Sequence, residues 1–450
     1  MGNYRTTKII LLCGDVVWYY AALFLALVLR NGEAPSFIVW NDHAFIYSIA
    51  LPLWVVVFYI SDLYHPSFIA KRGIFATRVF IVMGIIMAIS AIVFYILALP
   101  NTTPKTVLFM HGGIFTFFFF GWRSIMTKKM LHEKKIPALF IGDREHFLLL
   151  WQKIQASTGS EYQLIGYTDP GKADAQCEDM SLTVKSSQEK VADRVIEALI
   201  VQDDFLNKTF LLFQTFLTRS GDMQTFSAFF EDQFQELLLE PHAGIETLES
   251  IDLGRWKIYD RVKRYVDIVV ASIILFIGGS VALPVMIIVK LCSRKPIFYS
   301  QKRCTKDGKV FTLYKFRTMA PDAEKEGPVW AKKNDSRATR VGRLLRHTHI
   351  DEFPQVWNVL RGELSFVGPR PERPDFVKLL EDAIPYYALR HRITPGISGW
   401  AQINFPYAAS IEDARRKLSY DLYYLKHRSF TLDLKIFLKT IAFVIKGEGG

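Results

Sequence analysis

Four long apolar runs fill most of the first 125 residues, and they restrict this part of the chain to a membrane fold. They cover residues 9–29, 44–59, 79–99 and 107–122. Most approach the ~20 residues that a helix needs to cross ~30 Å of hydrocarbon. Pro52 interrupts the second run near its middle. We therefore predict a four-helix transmembrane bundle over residues 1–125.

Basic residues on one side of these runs indicate their orientation. Lys and Arg precede the first run, separate the second from the third and follow the fourth, at Arg5, Lys8, Lys71, Arg72, Arg78, Arg123, Lys128, Lys129, Lys134 and Lys135. Cytoplasmic loops carry such an excess of positive charge. We therefore expect both ends of the bundle, and the residues that follow it, on the cytoplasmic face of the membrane.

The chain as a whole is both apolar and basic. Half of its 450 residues are hydrophobic and its net charge is +11, while its mean hydropathy is +0.16. This hydrophobicity excludes a disordered chain, and an ordinary nucleic-acid-binding protein would not need it. The combination favours a membrane protein whose positive charge lies at a phosphate-rich surface, with the lipid bilayer and no nucleic acid as a partner.

Residues 126–255 predict a cytoplasmic Rossmann-like α/β module. Short apolar segments typical of buried strands alternate with a helical pattern at 204–217, and they cover 136–141, 162–167, 196–201 and 225–230. This alternation indicates a small parallel sheet. A dinucleotide-binding fingerprint needs three glycines after the first strand, and only Gly142 is present. A structural or oligomerising module is favoured over a dinucleotide-binding one.

A fifth apolar run, residues 266–291, differs from the first four in its flanking charges. Basic residues lie at both of its ends, at Lys263, Arg264, Lys290, Arg294 and Lys295. Positive charge at both ends favours two cytoplasmic ends, and Pro284 would kink a helix there. We predict a re-entrant helix over 264–291. A plain fifth span is the alternative, and it would carry the rest of the chain out of the cytoplasm.

A basic block leads to a pair of adjacent carboxylates. Residues 294–346 contain 15 Lys and Arg against five Asp and Glu, interleaved with aromatic and turn residues. This pattern indicates a pocket for several phosphate groups. Asp351 and Glu352 then precede a predicted helix at 355–361, with Asp351 as its N-cap. One carboxylate could attack phosphorus while the other orients it or handles a proton, with Mg²⁺ as a screening ion; a simple helix cap is the alternative.

Residues 261–447 resemble the bacterial sugar transferase family, the polyprenyl-phosphate hexose-1-phosphate transferases or monotopic phosphoglycosyl transferases. Six ordered motifs carry the resemblance: KRYVDIVVAS, FYSQKR, KFRTM, RVGRLLRHTHIDEFPQVWNVLRGELSFVGPRPE, PGISGWAQIN and YDLYYLKH. With the preceding bundle and α/β module, the chain is similar to the large form of the family. The resemblance implies a mainly helical catalytic domain over 256–450, and the charged apolar segment at 430–446 predicts an interfacial helix.

The resemblance also implies a reaction. Asp351 would attack the phosphorus attached to the sugar of a UDP-sugar and release UMP, leaving a phosphosugar-aspartyl intermediate. Undecaprenyl phosphate would then accept the sugar phosphate, with Glu352 aiding its activation and Mg²⁺ bound at Asp351. This is the first membrane step of exopolysaccharide, capsule or O-antigen repeat-unit synthesis at the bacterial inner membrane. A homodimer is a further expectation from the family.

Other positions match the family motifs one by one. Those expected to bind the substrate phosphates are Lys315, Arg317, Arg337, Arg346 and Arg370. Those expected at the lipid headgroups and the helix break are Lys263, Arg264, Asp267 and Pro284. Many members have Ser-Pro at the break, whereas this chain has Leu283-Pro284. The proline preserves the break, but a bond from the serine to the backbone is lost.

Two other functions compete with this one. A direct glycosyltransferase to lipid would need a D-x-D metal motif, which does not occur in residues 261–450. A non-catalytic membrane scaffold for polysaccharide assembly would suit the first 255 residues. The sequence does not show which sugar is transferred, since no pattern in it corresponds to glucose, galactose or an N-acetylated hexose.

Overall fold

The protein is described by a computed structural model that forms two compact units, residues 1–223 and residues 224–450. The residues that the structure describes are 2–61, 63–64, 72–97, 104–130, 135–157, 160, 162–168, 197–205, 222–239, 256–293, 296–319, 339–405 and 410–446. The predicted domain boundaries, after residues 125 and 255, stay predictions.

Four long helices open the first unit. They are α1 (Gly2–Asn31), α2 (Phe37–Ile60), α3 (Arg72–Leu97) and α4 (Pro104–Met130). Helix α1 packs against α2 and α4, and α3 packs against the same two helices. Two of the described helices are apolar and long enough to cross a membrane, over Ile9–Asn31 and Phe37–Tyr59. The membrane character is thus confirmed, whereas a bundle of four spans and its cytoplasmic orientation stay predictions.

A buried ion pair joins the first and fourth helices. Arg123 Nη2 donates to Asp15 Oδ2 at 2.6 Å, and the two side chains are 1% and 5% exposed. Arg123 therefore lies inside α4, facing α1, and is not one of the loop charges on which an orientation can be based. Two buried opposite charges hold each other in place, since either alone would be costly in an apolar interior.

We expect Arg123→Met to lower the free energy of unfolding by about 3–5 kcal/mol, because it leaves the Asp15 carboxylate buried without this cation. The loss should be measured as a lower Tm of the full chain in detergent. Adding Asp15→Asn should recover most of the loss. Glu33→Gln changes an exposed charge beyond α1 and serves as the control. Equal Tm values for Arg123→Met and the double variant would contradict this role of the pair.

A small parallel sheet follows the helices. Its strands are β1 (Ile136–Ile141), β2 (Tyr162–Thr168), β3 (Ala198–Val201) and β4 (Asp222–Thr225), in the spatial order β2-β1-β3-β4. Strand β1 is central and pairs in parallel with β2 and β3. Every residue of β3 is buried, which explains its uninterrupted apolar sequence. The predicted small parallel sheet is confirmed, and the Rossmann-like topology stays a prediction.

The turn after β1 is already filled by protein side chains. Gln202, just after β3, accepts a hydrogen bond from the backbone N–H of Asp143 at 2.9 Å. Asp143 in turn caps α5 (Arg144–Ala156) by accepting from the backbone N–H of His146 at 3.0 Å. Two N–H groups that could bind a phosphate at this helix start are thus engaged. The predicted helix at 204–217 lies mostly outside the described residues.

The prediction of a strand at 225–230 is wrong, because residues 226–234 form a helix. Strand β4 ends at Thr225, whose Oγ1 accepts from the backbone N–H of Ala228 at 3.2 Å and caps α6 (Phe226–Phe234). A threonine at this position offers the N-terminal N–H groups a hydrogen-bond acceptor. The buried Phe226, Phe229 and Phe230 then recur at helical spacing.

The second unit is built around one long helix and several short elements. They are α6, α7 (Lys257–Ser293), β5 (Phe298–Cys304), β6 (Val310–Phe316), α8 (Arg340–His347), α9 (Gln355–Arg361), β7 (Ser365–Val367), α10 (Pro374–Ala383), β8 (Gly396–Ser398), α11 (Trp400–Asn404), α12 (Ile411–Lys426) and α13 (Phe430–Lys446). Strands β5 and β6 are antiparallel, and β7 and β8 are parallel. A large apolar core surrounds Trp400, Leu418 and Tyr424. Helix α13 has the predicted bounds, and its interfacial position stays a prediction.

Helix α7 contains the fifth apolar run and is bent. Its axis turns by 56° between Lys257–Ser280 and Ala282–Leu291. Pro284 explains the bend, because it lacks an N–H for residue 280 and its ring crowds the carbonyl of that residue. Such a bent pair suits a broken span or a re-entrant helix, and the re-entrant form stays a prediction.

Candidate active site

The β5–β6 hairpin carries the first cation of the site. Its strands pair from Phe298↔Phe316 to Cys304↔Val310, and the register places Lys315 opposite Tyr299. The turn between them uses left-handed backbone at Asp307 (φ 57°) and Gly308 (φ 71°), where glycine has no steric penalty. Lys315 lies one residue before the end of β6, and its ammonium group reaches Glu352.

Helix α9 is fixed to this hairpin by a buried asparagine. Asn358 Nδ2 donates to the Thr312 carbonyl at 2.8 Å, and its Oδ1 accepts from the backbone N–H of Tyr314 at 3.3 Å. At the other end of α9, the Arg264 guanidinium donates to the carbonyls of Val359 (2.5 Å) and Leu360 (2.7 Å). A cation there satisfies carbonyls that lack helical partners and favours the negative end of the helix dipole.

The two carboxylates lie on a short 3₁₀ turn before α9. The turn covers Ile350–Glu352 and follows His349, which has a left-handed backbone (φ 53°). Helix α9 runs over 355–361 as predicted, but Pro354 occupies its N-cap position. The expectation that Asp351 is the N-cap was therefore wrong, because the extra 3₁₀ turn separates its side chain from the helix start.

Two cations neutralise Glu352. Lys315 Nζ lies 2.6 Å from Glu352 Oε1, and Arg370 Nη2 lies 3.4 Å from the same oxygen. Burial alone would raise the pKa of the Glu352 carboxyl, but the charges of Lys315 and Arg370 outweigh it and lower the pKa to about 2. Glu352 is thus a permanent anion near neutral pH and a poor proton acceptor.

Asp351 has the opposite electrostatic environment. The residue is 6% exposed, and burial raises the pKa of its carboxyl despite the nearby charge of Lys315; the negative charge of Glu352 raises it further. Within the part of the chain that the structure describes, Asp351 makes no ion pair. The two adjacent carboxyls therefore differ: one is held by cations, and the other is available to react.

The other predicted phosphate-binding residues lie around this pair or outside the described chain. Arg346 Nε donates to Thr318 Oγ1 at 3.0 Å, and its charge acts on Asp351. Arg317 is half-buried, and its Nε donates to the Pro296 carbonyl at 3.1 Å. Arg337 lies outside the described residues. The structure thus brings Lys315, Arg346 and Arg370 to the carboxylates.

Helix α8 can place Arg346 because one glycine allows a close approach. A Cβ at Gly342 would overlap the backbone carbonyl of Thr318, lying 2.7 Å from its C atom and 2.8 Å from its Cα. Thr339 caps the helix by accepting from the backbone N–H of Gly342 at 2.9 Å. Arg346 thereby lies close enough to bond the Thr318 side chain.

The predicted lipid-binding residues make contacts within the protein. Lys263 Nζ lies 2.6 Å from Asp433 Oδ2, and Asp267 accepts from the backbone N–H of Phe366 at 3.3 Å. Arg264 binds the end of α9, and Pro284 lies in the bend of α7. These contacts connect α7 to the rest of the catalytic unit, and a role of these residues at lipid headgroups stays a prediction.

Comparison with known proteins identifies the family. The family model described as bacterial sugar transferase matches residues 258–447. An uncharacterized sugar transferase of Bacillus subtilis (strain 168) is 42% identical over 192 residues, which cover 42% of this chain and 89% of the relative. The chain belongs to the bacterial sugar transferase family.

Two relatives have names that state an activity. A UDP-N-acetylgalactosamine-undecaprenyl-phosphate N-acetylgalactosaminephosphotransferase of Aeromonas hydrophila is 42% identical over 192 residues (43% of this chain, 45% of the relative). A UDP-glucose:undecaprenyl-phosphate glucose-1-phosphate transferase of Klebsiella pneumoniae is 40% identical over 181 residues (40% and 39%). The chain matches less than half the length of each of these two relatives.

A buried ion pair between Arg390 and Asp421 supports Arg370, and the sequence analysis did not predict it. Arg390 Nη2 lies 2.8 Å from Asp421 Oδ2, and the side chains are 6% and 2% exposed. The same Nη2 donates to the Arg370 carbonyl at 2.9 Å. Asp421 is the acid of the YDLYYLKH motif and Arg370 lies in the GPRPE motif, so both motifs converge near the carboxylates. An aspartate within a mainly apolar helical motif was the available signal.

We expect Lys315→Met to destabilise the full chain at pH 7 by about 1.5–3 kcal/mol, because Glu352 loses its shortest charged hydrogen bond. Without the charge of Lys315, burial raises the pKa values of Glu352 and of the adjacent Asp351 relative to wild type, so the folded variant takes up protons as pH falls from 7 to about 4.5. A folded state that binds more protons than the unfolded state gains stability as pH falls. The Tm difference from wild type should therefore shrink over that range.

The control for this experiment is Lys302→Met on the neighbouring strand β5. Among the described residues, Lys302 Nζ bonds only the Thr312 hydroxyl, at 3.2 Å. Its Tm difference from wild type should be small and independent of pH. A constant offset for Lys315→Met between pH 7 and 4.5 would show that Lys315 does not control the ionisation of the two carboxyls.

Proposed function

We propose that the chain transfers a hexose-1-phosphate from a UDP-sugar to undecaprenyl phosphate through a covalent intermediate on Asp351. The observation that carries this proposal is the difference between the two adjacent carboxyls. Glu352 is bound by Lys315 and Arg370, whereas Asp351 makes no ion pair among the described residues. Family membership and the activities named for the two relatives support the same reaction.

In the first half of the reaction, a carboxylate oxygen of Asp351 attacks the phosphorus attached to the sugar. The new bond joins this oxygen to phosphorus, and the bond from phosphorus to the bridging diphosphate oxygen breaks. UMP leaves with the bridging oxygen and its electron pair. An attack by a carboxylate divides one difficult transfer into two easier ones.

In the second half, an oxygen of undecaprenyl phosphate attacks the same phosphorus. The bond between phosphorus and the Asp351 oxygen breaks, and the carboxylate is restored. The product is undecaprenyl-diphosphate-sugar. The acceptor is already an anion near neutral pH, so this step does not need Glu352 as a strong base, consistent with its low pKa.

Glu352 has a positioning task in this mechanism. It holds the ammonium of Lys315 and the guanidinium of Arg370 on one carboxylate oxygen. The charge of Lys315 then acts on the adjacent Asp351 as well, where the phosphate charge of donor and acceptor collects. Cations fixed before the substrate binds stabilise the charged transition state without further rearrangement. Arg346, whose charge reaches Asp351, belongs to the same group.

We also propose Mg²⁺ at Asp351. No cluster of three potential metal-binding side chains occurs among the described residues. Mg²⁺ nevertheless fits a single available carboxylate, because it takes its other ligands from substrate phosphates and water. When bound, it would neutralise part of the diphosphate charge. Loss of turnover in EDTA and its return with added Mg²⁺ would support this assignment, and full turnover in EDTA would contradict it.

The cellular setting follows from the same proposal. A membrane-bound acceptor requires an enzyme at the bilayer, and the chain has apolar helices suited to it. We propose the bacterial inner membrane with the catalytic unit on the cytoplasmic face, where UDP-sugars are found. The product would start an exopolysaccharide, capsule or O-antigen repeat unit. A homodimer is part of the proposal on family grounds alone.

We expect Asp351→Asn to lower UMP release by at least about 10³-fold, because an amide cannot act as the nucleophile. The assay uses the full chain in detergent with undecaprenyl phosphate and a panel of UDP-glucose, UDP-galactose and UDP-N-acetylgalactosamine. Asp382→Asn, an exposed carboxylate on α10, is the matched control and should retain wild-type turnover. The preferred UDP-sugar also identifies the transferred hexose.

The same assay separates the competing functions. Release of UDP in place of UMP would favour a direct glycosyltransferase, and full activity of Asp351→Asn would exclude the covalent mechanism. Absence of turnover with every UDP-sugar, in a folded and membrane-bound wild-type chain, would favour a scaffold for polysaccharide assembly.

A further inference from the structure

The residue after the two carboxylates, Phe353, contacts the bent helix α7 before its bend. A Cβ built on Gly278 would lie 3.1 Å from Phe353 Cζ and 3.3 Å from Cδ2, and closer still to Cε2. The phenyl ring therefore occupies the space that a side chain at position 278 would need. The neighbouring Gly279 has open space at the same place, with no atom within 4 Å.

Phe353 also packs against an apolar cluster that includes residues of the helix after its bend. Ala282, Val285 and Val289 of α7 form a buried cluster with Phe316 of β6 and Leu345 of α8. Phe353 and Ile350 both pack against this cluster as partly buried side chains. The axis turns by 56° between residues 280 and 282. Phe353 thus meets α7 at Gly278 before the bend and packs against a cluster to which α7 contributes residues from beyond the bend.

These contacts bracket the catalytic pair. Ile350 precedes Asp351 and Phe353 follows Glu352, so the two apolar side chains flank the 3₁₀ turn. Their shared cluster includes the last residue of β6, Phe316, which is adjacent to Lys315. The apolar contacts thus fix the turn against the strand that supplies the cation for Glu352. A shift of the ring would move Glu352 relative to Lys315.

We infer that Phe353 is a positioning residue, seated at Gly278 in the bend of α7, that holds Asp351 and Glu352 in their reactive place beside Lys315. The inference rests on the proposed function for its kinetic consequence. A displacement of about 1 Å at a reacting group can cost about 10²-fold in rate. The bend therefore contributes to the geometry of the active site as well as to the path of the helix.

The test compares two adjacent glycines. Gly278→Ala and Gly279→Ala add the same methyl group to the same helix and raise its helix propensity equally, but only the first meets the Phe353 ring. For the full chain in detergent, we expect kcat for UMP release to fall about tenfold or more in Gly278→Ala, with the KM for the UDP-sugar changed much less. Gly279→Ala should retain wild-type kcat and KM.

A size exchange then separates positioning from damage to the fold. Adding Phe353→Leu to Gly278→Ala removes ring atoms that meet the new methyl group, so kcat and Tm of the double variant should return towards wild type. Phe353→Ala removes the apolar contact and should lower kcat by itself. Non-additive Tm values across the Gly278 and Phe353 cycle would demonstrate the contact without any activity measurement.

The outcomes distinguish this inference from the proposed function. Equal kcat values for Gly278→Ala and Gly279→Ala, or no recovery of kcat and Tm in the double variant, would overturn the positioning role. Absence of UMP release by the wild-type chain would instead contradict the proposed function. In that case, additive Tm values would overturn the seating of Phe353 at Gly278, and non-additive values would support it.

Discussion

The arrangement of the catalytic unit depends on how one partly buried carboxylate is neutralised. Glu352 takes Lys315 from a β-hairpin and Arg370 from the loop after β7. Each cation is in turn fixed by its own element, Lys315 by the strand pairing of β6 and Arg370 through its carbonyl by Arg390. An unpaired charge at this depth would be costly. The hairpin, the loop after β7 and the turn that carries Glu352 therefore stabilise one another. The same constraint keeps positive charge beside Asp351.

Helix α7 connects several parts of the second unit to one another. Its polar first part binds the catalytic unit three times, through Lys263 to Asp433, Arg264 to the end of α9, and Asp267 to the backbone of Phe366. Its apolar second part packs on the elements that carry the site. The helix therefore contacts the rest of the unit along both of its parts, and the polar residues close to its apolar run have partners within the protein.

Local patterns in the sequence were sufficient for elements whose cause is local. The helix at 355–361 was predicted at its observed bounds, because a proline precedes it and a glycine with a left-handed backbone ends it. The strand expected at 225–230 failed, since a capping threonine outweighed its apolar residues. The hydrogen bonds of Asn358 to the Thr312 carbonyl and of Arg390 to the Arg370 carbonyl could not be predicted, because these partners lie 46 and 20 residues away in the sequence. The motifs located Asp351, but only the tertiary structure distinguishes its environment from that of Glu352.

The bond between Lys263 and Asp433 joins residues 170 positions apart. Tyr259 and Tyr424 also donate to the Asp433 carboxylate, so the start of α7 is completed by a residue of α13. During synthesis, α7 is made long before this partner exists. The contact between Lys263 and Asp433 can form only once α13 has been made, near the end of the described chain. The start of α7 therefore takes its final contacts late, after most of the second unit has been synthesised.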